Sequence, residues 1–183
     1  MLNDDFIRVF WKDIELIKEH IPKYIKIREF ESKLYLATYE RNLNLMRECL
    51  KEKNVLILDL GCSFGHLTAI LADYGYSVIG LDVPKSGSLN FTYELWKKIG
   101  ERVNCEFLKG DGRCLLFKSG RFDAVLAYAV IEHVQNHDKN NFNGLLHFLG
   151  EVNRILKVNG YFFIFECPNK KAYTEKNRAA PKN

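Results

Sequence analysis

Three aspartates, a glycine-bounded loop and one histidine are the residues of this chain whose types and spacing suit them to chemistry. The loop is Gly61-Cys62-Ser63-Phe64-Gly65, set between the apolar run Val55–Leu58 and a helix-like stretch from His66 to Tyr74. Glycine lets a backbone take positive φ and lets a ligand come close. A helix N-terminus adds unpaired N–H groups and the positive end of a dipole, which suit a carboxylate or phosphate. For the glycine pair alone, a bare strand-to-helix turn is an equal alternative. Asp59, two residues before Gly61, changes that balance. Its charge would repel a pyrophosphate but suits an ammonium group, so the expected ligand is zwitterionic.

Asp82 lies 21 residues beyond Gly61, at the end of a second apolar run, Ser77–Leu81. That spacing fits a carboxylate accepting both hydroxyls of a ribose, with a turn or N-cap aspartate as the plainer alternative. Asp111, in Gly110-Asp111-Gly112, follows a third run and could accept from an exocyclic amine, although Gly-Asp-Gly is also a common turn. The segment Tyr128–His133 follows a fourth run. His133 is its candidate general base, because histidine titrates near neutral pH, and Tyr128 is a second catalytic candidate. The plainer reading is that Glu132-His133 only shapes this loop. The aromatics Trp11, Tyr35 and Tyr39 either line an acceptor pocket or pack as helix core.

The elements that must hold these residues can be read from hydrophobic periodicity. Phe6, Val9, Phe10, Ile14 and Ile17 recur at helical spacing over residues 4–20, and Pro22 interrupts them. A second helix is expected near residues 29–52, with Leu34, Tyr35, Tyr39, Leu43, Met46 and Leu50 on its apolar side. Continuous apolar runs at Val55–Leu58, Ser77–Leu81, Val103–Leu108, Phe122–Ala127 and Tyr161–Glu166 read as strands. Helices are expected between them at His66–Tyr74, at residues 89–99 and at Asn140–Lys157, the last capped by Asn159-Gly160. Alternating strands and helices predict an α/β fold: a Rossmann-like, doubly wound parallel sheet covered on both faces. In such a sheet ligands bind beyond the carboxyl ends of the strands, where these polar residues fall. The domain expectation is an N-terminal helical cap over 1–52, a ligand-binding domain over 53–168 and a polar tail over 169–183.

Composition narrows the classes. The 183 residues are 47% hydrophobic and 27% charged with a net charge of +4, ordinary for a globular domain. No basic stripe with interleaved aromatics is present, so no nucleic acid partner is expected. No apolar run approaches the ~18 residues of a membrane span, and the N-terminus does not read as a signal peptide, so a cytoplasmic location is expected. Cys49, Cys62, Cys105, Cys114 and Cys167 are scattered and odd in number, which predicts reduced thiols and no metal.

From Val55 to Pro168 these motifs, in order, resemble the class I S-adenosylmethionine-dependent methyltransferases, in particular the type-11-like methyltransferase domain. Val55–Gly65 resembles the family's first motif, with Ser63 where a middle glycine is common. Val78–Asp82 resembles the second, and Gly110-Asp111-Gly112 the adenine-contacting one. Phe122–Ala127 with Val130–Val134 resembles the fourth-strand motif, and Leu149–Phe165 the following helix and fifth strand. The resemblance implies a sheet of order 3-2-1-4-5 and S-adenosyl-L-methionine as cofactor. It implies cofactor contacts from Asp59, Gly61, Cys62, Ser63, Gly65, Asp82, Val83, Asp111, Gly112, Ala127 and Tyr128. Asp59 and Gly61 would face the methionine end, and the backbone of Ala127-Tyr128 would accept from its ammonium. The implied partner is a small-molecule or lipid-like methyl acceptor.

The family's sheet usually ends in a hairpin of two further strands. Only the 17 residues Cys167–Asn183 follow Glu166, and they are polar, so that hairpin is expected to be missing. The apolar fifth strand would then be an edge needing cover from a second copy of the chain, from the N-terminal helices, or from further residues. Two other readings stay open at this point. One is a module that binds the cofactor without transferring a methyl group. The other is an NAD(P)-dependent oxidoreductase, against which Asp59, the Gly61–Gly65 spacing and the long stretch before the first strand argue.

Overall fold

A computed structural model describes residues 4–20, 33–52, 54–83, 89–134 and 143–167. The five apolar runs become strands β1 (Leu56–Leu60), β2 (Ser77–Asp82), β3 (Cys105–Lys109), β4 (Phe122–Tyr128) and β5 (Leu156–Phe165). All pair in parallel, in the order β3-β2-β1-β4-β5. Parallel neighbours need long crossovers, here supplied by α3 (His66–Asp73), α4 (Leu89–Arg102) and α6 (Asn143–Ile155). Two N-terminal helices, α1 (Asp4–His20) and α2 (Lys33–Cys49), precede the sheet, and a single turn, α5 (Ile131–Val134), follows β4. The order reverses at β1 and β4, so the crevice between their carboxyl ends is where this architecture receives ligands.

Strand alternation splits the core into two layers. Ile57, Val78, Ala124, Leu126 and Phe163 face α1 to α4, while Leu58, Leu60, Ile79, Leu81 and Val125 face α6 and Leu115. Phe10, Ile14 and Ile17 of α1 pack into the first layer together with Tyr39, Leu43 and Met46 of α2. The N-terminal helices therefore share the core of the sheet. The side chains of Phe6, Val9, Leu34 and Tyr35, named above as helix-face residues, lie outside the described ones. So do residues 168–183, the expected tail among them. No helix of the described residues is long and apolar enough to cross a membrane.

Two of the boundaries that differ from expectation have a clear physical cause. The strand after α6 starts at Leu156, directly behind the helix, because Leu156 pairs with Phe122 and Lys157 Nζ donates to Asp123 Oδ1 at 2.7 Å. Asn159-Gly160 is accordingly no helix cap. It forms a bulge inside β5, where the register jumps from Phe122↔Leu156 to Ala124↔Tyr161 and Asn159 takes φ 63°. The third strand begins at Cys105 instead of Val103, because Cys105 N–H turns back to the Val103 carbonyl at 2.8 Å. At the β5 edge Tyr161 and Ile164 remain 44% exposed, while Phe163 and Phe165 turn inward toward α2.

Gly80, opposite Asp59 in the β1–β2 register, lies in tight packing near the crevice. A Cβ there would lie 2.7 Å from the Phe107 ring and 2.8 Å from Thr68 Oγ1. Gly80→Ala should therefore cost about 1–3 kcal/mol of stability through overpacking. Urea denaturation measures this, and a variant as stable as the parent would mean that the contact is looser than drawn.

Candidate cofactor site

The crevice is assembled around the Gly61–Gly65 loop. Gly61 and Gly65 take φ 75° and 86°, left-handed values that a side chain strains to adopt. Gly61 N–H and Cys62 N–H both donate to the Leu81 carbonyl, at 2.7 and 3.2 Å, stitching the loop to β2. Ser63, also left-handed at φ 52°, donates its N–H to Asp82 Oδ2 at 2.6 Å. Its carbonyl accepts from Trp96 Nε1 at 2.9 Å, and Trp96 stacks on Phe107, whose ring would meet a Cβ on Gly65. Trp96 and Phe107 thus clamp the loop from α4 and β3. Neither stood out in the sequence, because both act through contacts distant along the chain.

Asp59 lies beneath this loop, 1% exposed, on the sheet face that meets α3. Its Oδ2 accepts from Thr68 Oγ1 at 2.7 Å. Burial pushes its pKa up to about 7; the Thr68 hydrogen bond opposes that rise, and the nearby Asp82 charge adds to it. The two aspartates are close enough to feel one another across the crevice. Asp82 is half-buried at the tip of β2, and one oxygen is committed to Ser63. A carboxylate has about four lone-pair sites, so capacity remains for ribose hydroxyls. Val83 beside it is 52% exposed. Buried Cys62 has its thiol pKa driven up, first by burial and then by the charges of Asp59 and Asp82, so it stays a neutral thiol.

The other predicted residues are placed less uniformly. Asp111 sits beyond β3, but Arg113 holds it through the backbone N–H at 2.9 Å and through Nη2 at 2.6 Å. Those hydrogen bonds keep its carboxyl below the usual range. Arg113, unnoticed in the sequence, is therefore a competitor for the carboxylate expected to read adenine. Gly112 backs onto Phe148, which a Cβ would approach to 2.8 Å. Ala127 is buried at the end of β4. Tyr128, next to it, packs its ring against Tyr39 of α2 with centroids 4.8 Å apart. Tyr39 also hydrogen-bonds His66 Nε2, and burial lowers the His66 pKa to about 4, so that imidazole is neutral. His133 stands on α5 with its side chain 77% exposed and Nε2 4.0 Å from Glu132 Oε1. The structure thus brings together Asp59, the glycine loop and Asp82, and leaves His133 at the rim.

Strand order, crossovers and crevice define a Rossmann-like α/β domain. Residues 58–164 match the family model described as a methyltransferase domain. The chain is 28% identical over 151 residues to the ubiquinone biosynthesis O-methyltransferase of Pelagibacter ubique, covering 82% of this chain and 50% of that one. It is 29% identical over 131 residues to an 18S rRNA (guanine-N(7))-methyltransferase of Schizosaccharomyces pombe, covering 72% and 44%. The crystal structure of the PH0226 protein from Pyrococcus horikoshii OT3 is 30% identical with a TM-score of 0.58, over 73% of this chain and 58% of that one. The chain belongs to the class I S-adenosylmethionine-dependent methyltransferase family. It spans half or less of the length of these two curated relatives.

Two outcomes are expected of the aspartates. Asp82→Ala should weaken S-adenosylhomocysteine binding by on the order of 10–100-fold for each charge-assisted hydrogen bond lost, read by titration calorimetry. Asp59 binds its proton more tightly folded than unfolded, so its stabilising contribution is complete below its ordinary value of 3.8 and is lost as pH rises through about 7. That loss amounts to a few kcal/mol at most, at about 1.4 kcal/mol per pKa unit. Urea midpoints of the ligand-free protein should fall between about pH 5 and pH 8, and Asp59→Asn should flatten the slope. An equally steep slope in the variant would assign it to another group.

Proposed function

We propose that this chain is the cofactor-binding part of an S-adenosylmethionine-dependent methyltransferase acting on a small-molecule or lipid-like acceptor. The observation that carries the reading is the buried Asp59 carboxyl beside a loop that Asp82 ties down. A carboxyl kept near neutrality by burial is poised to ionise when an ammonium group arrives next to it. The positive dipole end of α3, just beyond the loop, suits the carboxylate of the same amino acid. Asp82 suits the ribose, with one oxygen holding the loop and the remaining lone pairs turned to hydroxyls. The residues present therefore fit an adenosine joined to an amino acid.

When bound, the cofactor supplies an electrophilic methyl group on a sulfonium. The chain's own contribution is to orient and exclude water, and positioning of this kind can supply ~7–11 kcal/mol of a barrier. Tyr128 and the α5 turn stand beside the crevice, at the carboxyl end of β4. His133, exposed at the rim, would serve as a base only for an acceptor that must lose a proton. The ubiquinone-pathway relative favours a lipid-like acceptor, whereas the rRNA-methylating one shows how far acceptors diverge on this fold.

Two measurements test the reading together. S-Adenosylhomocysteine should bind more tightly than NAD, and a labelled methyl donor should mark a small or lipid-like component of a cell extract. Preference for NAD would revive an oxidoreductase. Binding without any labelled product would leave a module that holds the cofactor and transfers nothing.

A further inference from the structure

Ser63 adopts a backbone conformation that its type disfavours. It occupies the first central position of the turn that Gly65 N–H closes on the Cys62 carbonyl at 2.8 Å, and its φ is 52°. Glycine is the usual residue for positive φ at that position, because a Cβ crowds the adjacent carbonyl. Such a conformation persists only where its surroundings over-determine it. Two hydrogen bonds do so here. The Ser63 N–H lies in the peptide plane before its Cα and donates to Asp82 Oδ2 at 2.6 Å. Its carbonyl lies in the plane after the Cα and accepts from Trp96 Nε1 at 2.9 Å. Each bond orients one plane, so together they set the φ and ψ of Ser63.

Trp96 is placed to hold that carbonyl firmly. It is 4% exposed, stacks on Phe107 with centroids 5.3 Å apart and planes 10° from parallel, and meets Tyr93 edge-on at 5.6 Å. An indole has a single donor, and a ring braced by two others points it in one direction. We infer that Trp96 is a positioning residue of the cofactor site, which holds the Ser63 peptide left-handed and through it aims the Asp82 carboxylate. With Oδ2 fixed on the Ser63 N–H, the remaining lone pairs of Asp82 meet ribose hydroxyls in one orientation. This rests on the methyltransferase reading above and adds to it a residue, on a helix outside the loop, on which ribose recognition depends. A tryptophan that served packing alone would use Ser63 as a convenient acceptor, and its loss would be felt equally whatever stood at position 63. A clamp is needed because residue 63 carries a side chain, since glycine takes the same φ unaided.

Trp96→Phe keeps an aromatic ring against Phe107 and removes the donor. It should weaken S-adenosylhomocysteine by about 10-fold, the effect of one buried hydrogen bond, read by titration calorimetry. Hydrogen exchange of the Ser63 amide in the ligand-free protein should quicken by about 10-fold as well. In a Ser63→Gly background the same Trp96→Phe change should alter both readings by about 2-fold or less. Equal losses in the two backgrounds would overturn the proposal and assign Trp96 to packing, and so would a Trp96→Phe protein that binds as the parent does. Should Trp96→Phe alone fail to fold, the Ser63→Gly background should restore a cooperative urea transition, and a double variant that stays unfolded would also overturn it. Failure of S-adenosylhomocysteine to bind the parent protein would instead strike the methyltransferase reading, and the amide rates would still show whether Trp96 holds the loop.

Discussion

A carboxyl group buried under a glycine loop is the constraint around which the rest of this structure is arranged. Asp59 is almost sealed from solvent and is hydrogen-bonded by Thr68, through its hydroxyl and its backbone. An ionised carboxylate in that position is expensive, and the proximity of Asp82 makes it more so. The free protein meets the cost by holding the Asp59 pKa well above the usual carboxylate range, at about 7. On the proposed reading a bound cation would meet it by pairing, turning the electrostatic penalty into a preference for ligands that bring positive charge. The surroundings serve this arrangement. Gly80 has no side chain, so Thr68 can reach across, and Phe107 fills the space that remains. Trp96 fastens the loop above, and Asp82 closes it from β2.

Much of this was legible in the sequence, for a physical reason. Strands buried on both faces are forced into short apolar runs, and parallel neighbours need long crossovers, helical here in three of the four connections. The tips of those runs must then carry whatever polar groups face a ligand. Asp59 and Asp82 could be singled out on that ground, and the structure places them on either side of one loop. Their division of labour was not legible. Nothing in the local sequence says that one is buried beneath α3 while the other spends an oxygen on the Ser63 N–H.

What escaped the sequence was long-range. Trp96 lies 33 positions from Ser63, and Tyr39 lies 27 from His66, so neither pairing leaves a periodic trace. Asp111 was correctly placed at a strand end, yet Arg113, only two residues on, occupies its carboxylate. Asn159-Gly160 looked like a helix terminator because glycine and asparagine favour the left-handed region wherever it is needed. Here that conformation serves a bulge in β5, dictated by pairing with β4. Local chemistry named the conformation and missed its use.

The account stands or falls on the charge state of Asp59. Carbon-13 NMR of the labelled side-chain carboxyl, titrated with and without S-adenosylhomocysteine, reads that state directly. The free protein should show a midpoint near 7. Saturation with the ligand should move it below about 5, as a neighbouring ammonium favours the charged form. A midpoint near 3.8 in the free protein, indifferent to the ligand, would contradict the claim that burial tunes this carboxyl for a cation.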